Sequence, residues 1–372
     1  MKLGVCYYPE QWDRARWRDD AGRMATMGLK LVRIAEFAWA RMEPREGQFD
    51  WEWLDEAVAT LAEAGLEVVL GTPTAAPPRW LTERYPEVLA VDAQGRTRAA
   101  GSRRHVCLSS QKYFDASQAI VIAMAQRYGR HPAVVAWQTD NEYGCHDTLQ
   151  SYSPQALTRF REWLRARYGS IEELNRRWGN VFWSMTCDGF EQIGLPVGLP
   201  AQANPIHALD WRRFASDEVL RFNRMQVDAL REHAPGRPVL HNFMGFFGEF
   251  DHHAMGRDLD LASWDSYPPG AYRFDELHRS RRPPALGTQR PSRHRRVPPR
   301  PLSRHRTRPL RRDGAAGRTR ELGALEPRPA AGAGSRLDLG GLRPPRGVRL
   351  LLPLAPAAVR AGADAFGTAR QR

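Results

Sequence analysis

The 372 residues, 42% hydrophobic and 26% charged, have the composition of a soluble globular protein, which excludes fibrous and wholly disordered classes. The net charge of +13 is unevenly placed: residues 281 to 372 hold 22 Arg, no Lys and five acids, while residues 1 to 280 hold 33 basic and 37 acidic side chains, a balance of −4. The basic excess belongs to the tail, so it gives the chain as a whole no nucleic-acid partner. No apolar run reaches the ~18 residues that cross a bilayer. The opening Met1-Lys2-Leu3-Gly4-Val5-Cys6-Tyr7-Tyr8 runs into a strand without a signal-peptide core. Cys6, Cys107, Cys145 and Cys187 lie far apart and fit reduced thiols. A cytoplasmic location without a membrane partner is the expectation.

Along the chain, short apolar runs alternate with amphipathic segments, the pattern of βα units around a parallel sheet. The strands are expected at Leu3 to Tyr7, Leu31 to Ile34, Glu67 to Leu70, Val134 to Gln138, Val239 to Asn242 and Leu261 to Trp264. Between them, Trp53, Leu54, Ala57, Val58, Leu61 and Ala62 form a helical stripe that Gly65 stops. Ser153 and Pro154 start a second helix, with Leu157, Phe160, Leu164 and Tyr168 on one face and Gly169 at its end. Ser170 and Glu173 make a capping-box pattern for the next. A long helix then aligns Trp211, Phe214, Phe222, Met225 and Ala229. About six such units predict an α/β fold, a (β/α)₈ TIM barrel lacking its last quarter; a doubly wound sheet would show a Gly-rich turn after its first strand. The long connection from Thr72 to Gln111 is expected on the catalytic face, where barrel insertions lie.

From about residue 280 the material changes. All 12 Trp lie at or before Trp264, and the last 92 residues lack Trp, Tyr, Cys, Met, Ile, Asn and Lys, with Phe366 their one aromatic. Arg, Pro, Gly and Ala cannot bury enough to offset ~1–2 kcal/mol per ordered residue, so disorder is expected. A basic nucleic-acid arm would mix Lys or aromatics with its Arg, and a Pro-rich linker would lead to another domain. The remaining explanation is a GC-rich gene read out of frame, which yields these four residues; 52 Arg against 3 Lys in the whole chain agrees. The expected domains are an incomplete barrel over residues 1–280 and an out-of-frame tail over residues 281–372.

Barrel chemistry gathers at the C-terminal ends of strands. Those ends read Cys6-Tyr7-Tyr8-Pro9-Glu10-Gln11-Trp12, Val32-Arg33-Ile34-Ala35-Glu36-Phe37-Ala38-Trp39, Trp137-Gln138-Thr139-Asp140-Asn141-Glu142-Tyr143-Gly144 and Ser263-Trp264-Asp265-Ser266-Tyr267-Pro268. Acids, amides and aromatics recur, the set a sugar site uses. Glycoside cleavage needs an acid to protonate the leaving oxygen, and a neighbouring amide can hold the sugar 2-hydroxyl. Glu142 suits the first role and Asn141 the second. A chance Asn-Glu in a solvated loop is the alternative, and the preceding apolar run, Val134 to Gln138, weighs against it.

These four motifs, in this order, resemble glycoside hydrolase family 42, the β-galactosidases. The resemblance implies a retaining enzyme on a (β/α)₈ barrel that needs no cofactor, hydrolyses terminal non-reducing β-D-galactosides and forms homotrimers. It implies Glu142 as acid/base and Arg33, Asn141 and Tyr267 as galactose-binding residues; Trp183 matches either a subsite wall or a core tryptophan. Two departures stand out. Some members hold zinc with four cysteines, and Cys107 resembles one ligand, but His146 to Gln155 adds no cysteine, so no metal is expected and Cys107 reads as a buried thiol. His146, His252 and His253 show no ligand spacing and read as surface or loop residues. The second departure is the nucleophile, a Glu at the end of the family's seventh strand, for which nothing after Tyr267 matches.

Codon arithmetic bears on that loss. Arg312-Asp313-Gly314-Ala315-Ala316 can be written CGT GAT GGA GCA GCA, which one base later reads Val-Met-Glu-Gln-Gln. The same offset through Gly317 to Leu322 permits Ala-Gly-Pro-Val-Asn-Trp, resembling the family's nucleophile segment. Leu337-Asp338-Leu339-Gly340-Gly341 similarly permits Trp-Thr-Trp-Glu-Ala. The expectation is a β-galactosidase by descent whose chain, in this form, is inactive or nearly so. A noncatalytic glycan-binding remnant is the alternative, and a basic-tail nucleic-acid binder the more distant one.

Overall fold

The computed structural model describes residues 2–245 and 247–266. Tyr267, the boundary at residue 280, the tail expected to be disordered and the segments expected to be out of frame all lie outside the described residues. Six strands form one parallel sheet in sequential order: β1 (Gly4–Cys6), β2 (Leu31–Ile34), β3 (Glu67–Gly71), β4 (Val134–Gln138), β5 (Val239–Met244) and β6 (Leu261–Asp265). A doubly wound sheet would return past its first strand, whereas this order only advances, as a barrel requires. The chain folds as six units of an incomplete (β/α)₈ barrel. Each strand lies within two residues of the run expected for it.

Strand alternation sorts the side chains into two layers. Val32, Ile34, Val68, Leu70, Val134 and Trp137 join the large core under the helices, with Trp53, Leu54, Val58, Leu61, Ile120, Met124 and Phe222. Leu31, Val69, Ala136 and Leu240 form a separate buried cluster, one apolar layer of the barrel interior, with Leu261 against it. Two residues further along each strand, the same inward phase brings Arg33, Gly71, Gln138, Asn242 and Ser263, with Cys6 paired beside Arg33. One more step along β6 gives Asp265. The interior thus changes from apolar to polar in one rise of two residues, toward the C-terminal ends.

The helices follow their signals. Ser153 Oγ caps Pro154–Tyr168 by accepting from the Ala156 N–H, and the chain leaves through Gly169 at φ 75°. Ser170 caps Ile171–Trp178 likewise, but the reciprocal half of the capping box is absent: the Glu173 carboxylate turns to Arg176 and Arg177 instead. Helix Pro205–His233 buries Trp211, Phe214, Phe222, Met225 and Ala229 as the stripe predicts. Phe160, Leu164, Leu174, Trp178, Trp211 and Phe214 form a second core outside the barrel. Gly71 is a forced glycine, since a Cβ there would lie 2.4 Å from Glu36 Cβ. Among the described residues no helix is long and apolar enough to cross a membrane.

Candidate active site

The segment after β4 is built around Asp140. Its carboxylate takes Thr74 Oγ1 at 2.6 Å, the Asn141 N–H at 2.5 Å and the Arg104 guanidinium; its own N–H donates to Thr72 Oγ1 at 2.6 Å. Gln138 Nε2 donates to the Asp140 carbonyl at 2.9 Å. These bonds hold left-handed backbone at Asp140 (φ 50°) and Glu142 (φ 44°), neither of them glycine. Such backbone costs on the order of 1–3 kcal/mol per residue and persists only where surroundings fix it. With this backbone the Glu142 carboxylate lies against Arg103 and Asn141.

Three groups converge on the Glu142 carboxylate. Arg103 donates at 3.0 Å and Asn141 Nδ2 at 3.2 Å, while Asp265, at the end of β6, shares a hydrogen bond with it. Burial and the adjacent Glu142 push the Asp265 carboxyl up to about 8. Glu142 itself is lowered: burial raises it, but the Asp265 hydrogen bond and the Arg103 and Asn141 contacts outweigh that. Near neutral pH the two carboxyls thus hold one proton between them, and titrate as a unit. Arg33 is 1% exposed and fixed by Glu36 (2.9 Å) and Gln138 Oε1 (2.6 Å), and it too acts on Asp265. Burial also pushes the inward Cys6 thiol up to about 12, which removes it as a thiolate nucleophile. His241, beneath the site, stacks on Tyr143 at 4.5 Å between ring centroids and donates from Nδ1 to the Thr139 carbonyl at 2.8 Å. Burial drives it down to about 3, so it is neutral.

Arg33, Asn141 and Glu142 therefore stand together at the C-terminal ends of the strands, around Asn242 and Asp265. Trp183 does not join them: it is 68% exposed, at φ 52°, stacked on Phe182 at 4.8 Å. The core alternative for Trp183 fails on that exposure. Tyr267 lies outside the described residues. Cys107 is buried with Sγ 3.2 Å from Ser153 Oγ. Among the described residues no three His, Cys, Asp or Glu side chains converge as a metal site would require. His146 and His253 are exposed, whereas His252 packs against Phe243 and Phe250. Sequence reasoning missed Arg103, Arg104, Asn242 and Asp265 as site residues. The signals existed: adjacent arginines in the long connection, and a His-Asn pair inside the otherwise apolar β5.

The β-galactosidase profile of glycoside hydrolase family 42 matches residues 6–294. The chain belongs to glycoside hydrolase family 42. It is 58% identical over 268 residues to a β-galactosidase of Thermus thermophilus, covering 72% of this chain and 42% of that protein. It is 45% identical over 270 residues to the β-galactosidase Bga of Halorubrum lacusprofundi, covering 73% of this chain and 39% of that one. Among solved structures, the β-galactosidase of the psychrophilic Marinomonas ef1 superposes with a TM-score of 0.72 at 54% identity, covering 75% of this chain and 43% of that one. This family 42 chain thus spans less than half the length of these relatives, and the profile match runs past residue 280.

The Asp265–Glu142 pair gives a pH dependence of stability. Asp265 rises from an ordinary 3.8 to about 8 on folding, so between those values the folded state holds a proton that the unfolded state has lost. Stability from this group therefore falls as pH rises through that window. Replacing Asp265 by Asn removes the term. The thermal midpoint of Asp265→Asn relative to the parent should improve between pH 5 and pH 8.5; a relative loss over that range would reverse the assignment.

Proposed function

We propose that residues 1 to 280 build the acid/base half of a retaining β-galactosidase site, for terminal non-reducing β-D-galactosides. The observation that carries this reading is the Glu142 carboxylate at the end of β4, aimed by strained backbone and held between Arg103, Asn141 and Asp265. The proton that the pair holds on Asp265 passes to Glu142, which gives it to the glycosidic oxygen as the bond from C1 to that oxygen breaks, while a second carboxylate attacks C1 from the opposite face. Glu142, now ionised, then takes a proton from the water that hydrolyses the glycosyl-enzyme. Asn141 serves the 2-hydroxyl, and Arg33 the remaining galactose hydroxyls. Tyr267 joins them on the sequence resemblance alone, and Trp183 on that basis is a subsite wall.

The attacking carboxylate must stand ~5–5.5 Å from the acid. Asp265 does not fit: it is hydrogen-bonded directly to Glu142 and protonated near neutral pH. That observation favours a second reading for this chain, a galactose-binding protein without turnover. Calorimetric titration tests the sugar site in either case. Galactose should bind in preference to glucose, and Asn141→Ala should weaken it on the order of tenfold, the value of one lost hydrogen bond of ~1.4 kcal/mol. Equal affinity for both sugars, or an unchanged affinity in Asn141→Ala, would remove the galactose assignment.

A further inference from the structure

Asn242 is 2% exposed and ties three strand ends together. Its Oδ1 accepts the Glu142 N–H at 3.2 Å, and its Nδ2 donates to Asn141 Oδ1 at 3.1 Å and to Asp265 Oδ2 at 3.3 Å. An amide offers two N–H groups and one carbonyl, and here each is used. The orientation is therefore unique, because the flipped amide would set a donor against the Glu142 N–H and an acceptor against two oxygens.

Two consequences pass outward from this one side chain. The Glu142 N–H belongs to a residue at φ 44°, and its bond to Asn242 helps to hold that backbone. The bond to Asn141 Oδ1 decides which end of the Asn141 amide points where. With its oxygen engaged behind, Asn141 turns its Nδ2 forward, where it donates to Glu142 Oε2 at 3.2 Å. Without Asn242 either end could face the carboxylate, and only one of them can donate.

We propose that Asn242 is a positioning residue that fixes the amide orientation of Asn141 and the backbone of Glu142, so that Asn141 presents N–H donors to the carboxylate and to the ligand. The proposal rests on the reading of Glu142 as acid/base only for its catalytic consequence. The charged or titratable groups around Asn141 and Glu142 include Arg103 and Arg104 from the β3–β4 connection, Asp140 and Cys145 from the segment after β4, Asp265 from β6, Arg33 from β2 and Cys6 from β1.

The experiment is side-chain amide NMR on the whole chain with isotope-labelled asparagine. The Asn141 NH₂ signals are assigned by their loss in Asn141→Ala. In the parent they should shift as Glu142 ionises, and that response should vanish in Glu142→Gln. In Asn242→Ala and Asn242→Asp most of the response should be lost, while circular dichroism shows a retained fold. Asn242→Asp keeps the acceptor for the Glu142 N–H and removes both donors, so it still answers if the Ala variant unfolds. Asn141 signals that titrate in both variants as in the parent overturn the proposal, as does a parent whose Asn141 signals ignore Glu142. The readout needs no turnover. Unchanged galactoside cleavage in Glu142→Ala of a version that carries a working nucleophile would count against the acid/base reading and leave the Asn242 result standing.

Discussion

Replacing Glu142 by Ala should slow galactoside cleavage roughly 10²–10⁴-fold in a chain that carries a working nucleophile, the range of general acid catalysis. That corresponds to about 2.7–5.5 kcal/mol of lost transition-state stabilisation, at ~1.36 kcal/mol per tenfold. The loss should be smallest for a nitrophenyl galactoside, whose leaving group departs with little protonation, and largest for an alkyl galactoside. Azide should restore turnover of the nitrophenyl substrate, since it attacks the glycosyl-enzyme without needing a base. The bonds from Arg103 and Asn141 locate the carboxylate for this work, but they also favour its charged form. The neighbouring Asp265 therefore matters as the group that holds the pair's proton. A Glu142→Ala enzyme with an unchanged rate would remove the assignment.

The 372-residue chain should cleave little or no galactoside, and a version with one base inserted or deleted between codons 277 and 288 should cleave more. Among the described residues the carboxyl paired with Glu142 is Asp265, which is protonated near neutral pH and so cannot attack C1. Cys6, also inward, is held as a thiol. The offset reading of residues 312 to 322 supplies a Glu in a segment resembling the family's nucleophile, and it needs only a one-base shift. The sheet argues the same way. Among the described residues β1 and β6 are each paired on one side only, and open parallel edges favour aggregation. Soluble yield and turnover of the two versions, measured side by side, are the check. Equal activity in both would place a nucleophile within residues 1 to 280 and end the two-carboxylate mechanism in its present form.

The strands were legible because a parallel sheet covered on both faces demands continuous apolar runs: Leu31 to Ile34 and Val134 to Gln138 have no solvent side to interrupt them. The Asn141-Glu142 pair was legible because polar groups directly after such a run have few structural reasons to be there. Asn242 was not. It sits in the same kind of run, and its importance comes from residues 100 and 101 positions away in sequence that only closure of β5 against β4 brings into contact. Arg103 and Arg104 are likewise two surface-like arginines in a loop until that loop folds over Asp140 and Glu142. The left-handed backbone at Glu142 has no local signal, since glutamate disfavours it, and at Asp140 only the weak one that aspartate tolerates it; tertiary hydrogen bonds impose both. Trp183 shows the converse. Its hydrophobicity was compatible with a core, and a left-handed bend at Trp183 and Ser184 exposes it instead. The sequence by itself determined the order of the βα units and the carboxylate at their mouth, because both follow from periodicity along the chain. The network that aims that carboxylate was decided by tertiary structure, because its bonds from Arg103, Arg104, Thr72, Thr74 and Asn242 join strands or loops whose register no local pattern encodes.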